Sequence, residues 1–125
     1  MTTKGKDLIP HEIAKMIEAL DEKKGVDIRL LDMREIVSYT DYILVCTGTS
    51  TTHIGALIDS VEDSVRHELK PIYRNPTKDK TWLILDYGHI IVHVFGESAR
   101  IYYDLERLWG DAKKIDWAKS AKTAK

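Results

Sequence analysis

The chain has one cysteine, three prolines, a single phenylalanine and almost no net charge, with 19 basic residues against 20 acidic ones. One thiol excludes an internal disulfide, and Cys46 stands in the apolar run Tyr42-Ile43-Leu44-Val45-Cys46, which makes it a buried, reduced side chain. No activating base is placed beside it, so a nucleophilic role is not expected. The near balance of charge argues against a domain that grips nucleic acid through a broad basic surface. No apolar stretch is long enough to span a membrane, and the first residues lead into no hydrophobic segment of a secretion signal. A reducing cytoplasm is the expected setting. Repeats, low-complexity tracts and Pro/Gly linkers are also missing, so nothing divides the 125 residues into more than one compact unit.

What remains is a hydrophobic fraction of 43%, enough for a core, arranged with clear periodicity. Ile13, Met16, Ile17 and Leu20 follow Pro10 at spacings of three and four, which predicts an amphipathic helix ending near Lys23-Lys24-Gly25. Val26 to Leu30 alternates as a strand should. Tyr42 to Thr47 is nearly continuous in apolar side chains, which predicts a central strand covered on both faces. Ile54, Leu57, Ile58, Val61, Val65 and Leu69 form a second helical stripe, capped by Ser50 or Thr51 and ended by Pro71. Trp82–Leu85 and Ile90–Phe95 read as a hairpin around Tyr87-Gly88. With that turn, Asp86 faces His89, Ile84 faces Ile91 and Trp82 faces His93, all on one side of the sheet, while Leu83, Leu85, Ile90 and Val92 take the other. Ile101, Leu105, Leu108 and Trp109 predict a last helix. The expected fold is α/β, a mixed β-sheet flanked by helices in the order α-β-β-α-(short β)-β-β-α. Residues 1–110 form the domain, and residues 111–125 a lysine-bearing tail with Lys113, Lys114, Lys119, Lys122 and Lys125. The tail reads as a solvated terminus; RNA is the contact its charge would favour.

Several constellations suggest chemistry and are better explained by structure. Gly48-Thr49-Ser50 lies between a strand and a helix, where free amides hold phosphates in other proteins, but the glycine-lysine pair of a P-loop is absent. A nucleotidyltransferase would need two carboxylates alternating on a following strand to hold its metal ions, and here only Asp86 is available. His89 and His93, four apart on a strand, have Cα atoms about 13 Å apart, too far for one ion. His11 and His53 fall near helix starts without ligand partners, and no serine stands in a nucleophile elbow. No metal, cofactor, small-molecule substrate or catalytic residue is therefore expected, and a nucleotide-binding or nucleotidyltransferase-like enzyme is the alternative reading. The face carrying Trp82, Ile84, Ile91 and His93 is core if helices cover it. If left partly open, it is an apolar patch with an aromatic anchor, as protein-binding sites are.

The run Thr40-Asp41-Tyr42, then Gly48-Thr49-Ser50 with His53, resembles the Iojap family of ribosomal silencing factors. So do Trp82-Leu83-Ile84-Leu85-Asp86-Tyr87-Gly88, Val92-His93-Val94-Phe95, and the closing Arg100, Tyr103, Leu105-Glu106 and Leu108-Trp109. The likeness spans residues 8 to 110. It departs from the family at Arg74 to Lys80, where a Glu-Gly pair is usual, and at His89, where an acidic residue is common. The resemblance implies a nucleotidyltransferase-like fold without the catalytic carboxylates, and a translational repressor, not an enzyme. It implies binding to the large ribosomal subunit at the ribosomal protein numbered fourteen, where the factor blocks joining of the small subunit when nutrients are scarce, and a homodimer when free. Carried over by position, Trp82 is the apolar anchor with His93 as its cross-strand neighbour, and Arg100, Tyr103 and Glu106 supply polar contacts around the rim.

Overall fold

A computed structural model describes residues 9–75, 81–98, 100 and 113–115. Helix α1 (His11–Glu22) turns Ile13, Ala14, Met16, Ile17, Ala19 and Leu20 inward, as its spacing predicts. Its end is closed by three amides: Lys23 N–H donates to Ala19 O (3.2 Å), Lys24 N–H to Asp21 O (3.0 Å) and Gly25 N–H to Leu20 O (2.8 Å). The left-handed residue that usually calls for glycine is Lys24, at φ 62°. Gly25 serves packing instead, because a Cβ there would lie 2.5 Å from Cys46 Sγ and 3.1 Å from Leu20 O.

Strands β1 (Val26–Asp32) and β2 (Tyr42–Gly48) follow, then helix α2 (Thr51–Ser64), short β3 (Tyr73–Arg74), β4 (Trp82–Asp86), β5 (Ile90–Gly96) and β6 (Lys113–Ile115). They make one mixed sheet in the order β3-β4-β5-β2-β1-β6. β2 and β5 run parallel, from Tyr42↔Ile90 to Gly48↔Gly96, and the remaining neighbours are antiparallel. All seven residues of β2 are buried, which is the central position its apolar run predicts. Alternation sorts the core into two clusters. Leu30, Leu44, Cys46, Leu83, Leu85, Val92 and Val94 meet α1 and α2 on one face. Leu31, Met33, Ile43, Val45 and Phe95 lie on the other, with Val37, Trp82 and Ile91 packed against them.

Four sequence expectations are corrected. α2 stops at Ser64, well before Pro71; Val65 caps it, and a turn in which Val65 O accepts from Glu68 N–H and Leu69 N–H carries the apolar stripe onward. The β4–β5 hairpin pairs Trp82 with Phe95, Ile84 with His93 and Asp86 with Ile91, two residues away from the expected register. His89 is not a rung of that ladder, because its carbonyl accepts from both Asp41 N–H and Tyr42 N–H at 3.0 Å. The loop is held by Asp86 Oδ1 accepting from Gly88 N–H at 2.8 Å, with Gly88 at φ 89°. A slip of two keeps every side chain of Trp82, Ile84, Asp86, Ile91 and His93 on its assigned face, since the pleat has period two; only His89 leaves the set. Lys113–Ile115, expected in a solvated tail, is an edge strand pairing Leu30↔Ile115 and Asp32↔Lys113. The predicted helix of Ile101, Leu105, Leu108 and Trp109 lies outside the described residues.

Because the Gly25 Cβ position is filled by the Cys46 thiol, Gly25→Ala is expected to cost about 1–3 kcal/mol in urea unfolding. Adding Cys46→Ala should recover part of that loss, a non-additivity that two independent sites would not show.

Candidate partner-binding face

The face of the β4–β5 half opposite the two described helices carries the sequence-predicted anchor. Trp82, Ile84, Asp86 and Ile91 are half-buried there, while Phe95 is fully buried and His93 is 8% exposed. Among the described residues the apolar cluster of this face draws on no helix. Trp82 begins β4 opposite Phe95, with ring centroids 5.6 Å apart. His93 is its diagonal neighbour instead of its direct partner, yet the two rings lie 5.8 Å apart and the indole Nε1–H donates to His93 Nδ1 at 3.0 Å. Burial pushes the His93 imidazole down to about 4, so the ring is neutral at pH 7. With Nδ1 accepting, its proton sits on Nε2. The bond orients the indole and leaves one side of the tryptophan packed on Phe95 and its outer part accessible.

Asn75 sits behind this arrangement, and no sequence pattern points to it. Its side-chain amide donates to Trp82 O (3.1 Å) and accepts from Ile84 N–H (2.8 Å), continuing the β3–β4 ladder past Arg74. Only the fold brings such a residue to the β4 edge. Phe95 was also missing from the expected set, although strand alternation from Ile91 and His93 places it on the same face.

Arg100 was expected on the rim and is instead buried, at 8% exposure. Its Nη1 donates to Asp27 O (2.8 Å) and to Thr47 Oγ1 (2.7 Å), and Nη2 lies 3.5 Å from Asp27 Oδ2. Asp27 is the bulged residue of β1: at φ 50° it falls in the irregular stretch between the Val26↔Thr47 and Arg29↔Val45 pairs. Arg100 thus clamps β1 to β2 from within. Tyr103 and Glu106 lie outside the described residues.

The remaining sequence candidates are structural. Ser50 Oγ caps α2 by accepting from His53 N–H at 3.0 Å. His53 Nδ1 accepts from Thr49 N–H (2.9 Å), and its Nε2 is 2.7 Å from Lys23 O, tying the end of α1 to the start of α2. Cys46 is fully buried and its thiol is pushed up to about 12 by burial, well above the range of a reactive thiolate. Among the described residues no helix is long and apolar enough to cross a membrane.

These features define a mixed-sheet α/β domain with its two described helices on one face and an aromatic patch on the other. The model of the family described as "Ribosomal silencing factor during starvation" matches residues 6–125. The chain is 36% identical to ribosomal silencing factor RsfS of Bacillus subtilis over 99 residues, covering 78% of this chain and 84% of that protein. It is 31% identical to the chloroplastic protein Iojap of Zea mays over 101 residues, covering 81% of this chain but 44% of that longer protein. A crystal structure of a Chromobacterium violaceum protein superposes with a TM-score of 0.76 at 33% identity, covering 79% of this chain and 83% of the other. The chain belongs to the ribosomal silencing factor family, a ribosome-associated family whose relatives are named as silencing factors and not as enzymes.

The depressed His93 sets a pH dependence. An unfolded histidine binds its proton near pH 6.5 and the folded one only near 4, so stability is full above the unfolded value and falls as pH drops through this window. Unfolding free energies measured at pH 7 and pH 4 should differ by about 2–3 kcal/mol more in the wild type than in a His93→Gln variant.

Proposed function

We propose that this chain is a translational repressor that acts by steric exclusion, without turnover. It binds the large ribosomal subunit at the ribosomal protein numbered fourteen and keeps the small subunit from joining. The observation that carries this reading is family membership, together with the half-buried Trp82 on the face that the described helices leave open. A formal charge of -1 favours a protein partner over direct RNA reading. In this reading Trp82 is the anchor, Ile84 and Ile91 extend the apolar contact, and His93 holds the indole in place. Tyr103 and Glu106 remain the polar contacts that the family resemblance assigns, while Arg100, with its internal bonds, supports the sheet. The free chain pairs as a homodimer, and the lysine-bearing segment 111–125 carries any contact with ribosomal RNA. A nucleotidyltransferase-like activity is disfavoured because β4 and β5 together bear a single carboxylate, Asp86.

Sucrose-gradient sedimentation of purified small and large subunits with this protein tests the reading. The wild type should co-migrate with large subunits and reduce joined ribosomes. Trp82→Ala and Ile84→Lys, each checked for a cooperative melt, should bind about tenfold more weakly or worse, as loss of an interface anchor does. A wild type that binds neither subunit and leaves joining untouched overturns the proposal. Retained silencing by both folded variants removes the patch from it.

A further inference from the structure

A half-open cavity of about 450 Å³ lies at the carboxyl ends of the parallel strands β2 and β5. This is where open α/β sheets place ligands, and the volume is in the range of small-molecule sites. The cavity is separate from the Trp82 patch, touching the segment that leads into β4 only at Thr81, so a ligand there would leave the docking face free.

The lining has a definite chemistry. Val26 and Ile54 supply an apolar wall, and Val26 is a large hydrophobic side chain left 43% exposed. Thr51, Thr81 and Ser98 supply hydroxyls, and Glu97 is the one carboxylate among the described lining residues. No lysine or arginine lines it among the described residues. Arg100, which reaches Thr47 from inside, already faces the Asp27 carboxylate and carbonyl, so it brings little uncompensated charge. An anion is therefore not the ligand this cavity suits: Glu97 would repel it.

Two glycines stand in register at the cavity floor, Gly48 and Gly96. Gly48 is explained by packing, since a Cβ would sit 2.6 Å from Ile54 Cγ1. Gly96 is not explained so by the described residues: among them a Cβ would meet Ile54 Cδ1 alone, at an ordinary 3.7 Å, and Gly88 is the glycine with positive φ. Glycine weakens a strand end, and at Gly96 the missing side chain leaves backbone open to close approach by a ligand.

We propose that this cavity binds a ribonucleoside. The base lies against Val26 and Ile54 over the Gly48–Gly96 floor, and the ribose diol is held by Glu97 and the neighbouring hydroxyls. A free nucleoside and the nucleoside part of a nucleotide share this chemistry; a phosphate would project from the open mouth and add nothing. The proposal is one of binding alone and includes no bond making or breaking.

Amide NMR of the full chain titrated separately with adenosine, guanosine, cytidine and uridine tests this. At least one should shift the amides of residues 47–51 and 96–98 while leaving Ile91 unmoved. The 2′-deoxy counterpart of that nucleoside, and the Glu97→Gln protein with the nucleoside itself, should each bind about tenfold more weakly, the worth of one charge-assisted hydrogen bond. Gly96→Val should abolish the shifts by filling the floor, and the Glu97→Gln and deoxy titrations decide the matter if that variant does not fold. The 5′-monophosphate should bind no tighter than the nucleoside; markedly tighter binding would make this an anion site and overturn the assignment. The proposal also fails if none of the four moves these amides, or if the deoxy form binds equally well.

Discussion

Strand β2 has no side that can face water. Each of its residues from Tyr42 to Gly48 is buried, and that single fact dictates the layers around it. Apolar cover must come from both faces, since exposure of such a strand would forfeit about 25 cal/mol for every Å² of apolar surface. Ile13, Ile17, Leu57 and Val61 of the two helices supply it on one side. Leu31, Met33 and Phe95 supply it on the other, from neighbouring strands and the turn after β1. Its parallel partner β5 needs a long crossover, which α2, β3 and β4 provide, and the shared direction of the two strands brings Gly48 and Gly96 together at one end of the sheet.

Around this apolar frame, three polar side chains bind specific partners across the fold, Arg100 and His93 from buried positions and His53 from a partly exposed one. Arg100 meets the carbonyl that the Asp27 bulge releases from the ladder, and Thr47 on β2. His53 joins the ends of α1 and α2 through Lys23 O and Thr49 N–H. His93 Nδ1 accepts a hydrogen bond from the indole N–H of Trp82. Each joins separate segments of the chain, so each contributes to a unique register more than to raw stability.

The two described helices and their cluster occupy one face of the sheet, and among the described residues the β4–β5 half of the other carries Trp82, Ile84 and Ile91. A tryptophan held by a neutral histidine and a buried phenylalanine is already ordered before any partner arrives, which lowers the cost of the contact proposed for it.

Much of this was legible in one dimension. Period-two and period-three-to-four alternation located α1, β1, β2, most of α2, β4 and β5, and assigned Trp82, Ile84, Ile91 and His93 to one face, because side-chain direction follows local backbone geometry. The order of residues from Thr40 to Trp109 also carried the family. Local pattern was silent where a distant group decided the outcome. The hairpin slid by two because the start of β2 takes the His89 carbonyl. Lys113–Ile115 became a strand because β1 offered an open edge, and not through any apolar alternation of its own. Arg100 turned inward because the bulge at Asp27 presents an acceptor 73 residues away in sequence. The sequence by itself determined which residues are apolar, in what period, and hence the elements and their faces. Only the tertiary structure decided register, edges and the partners of buried polar groups, since a hydrogen bond across the fold is invisible until both ends are brought together.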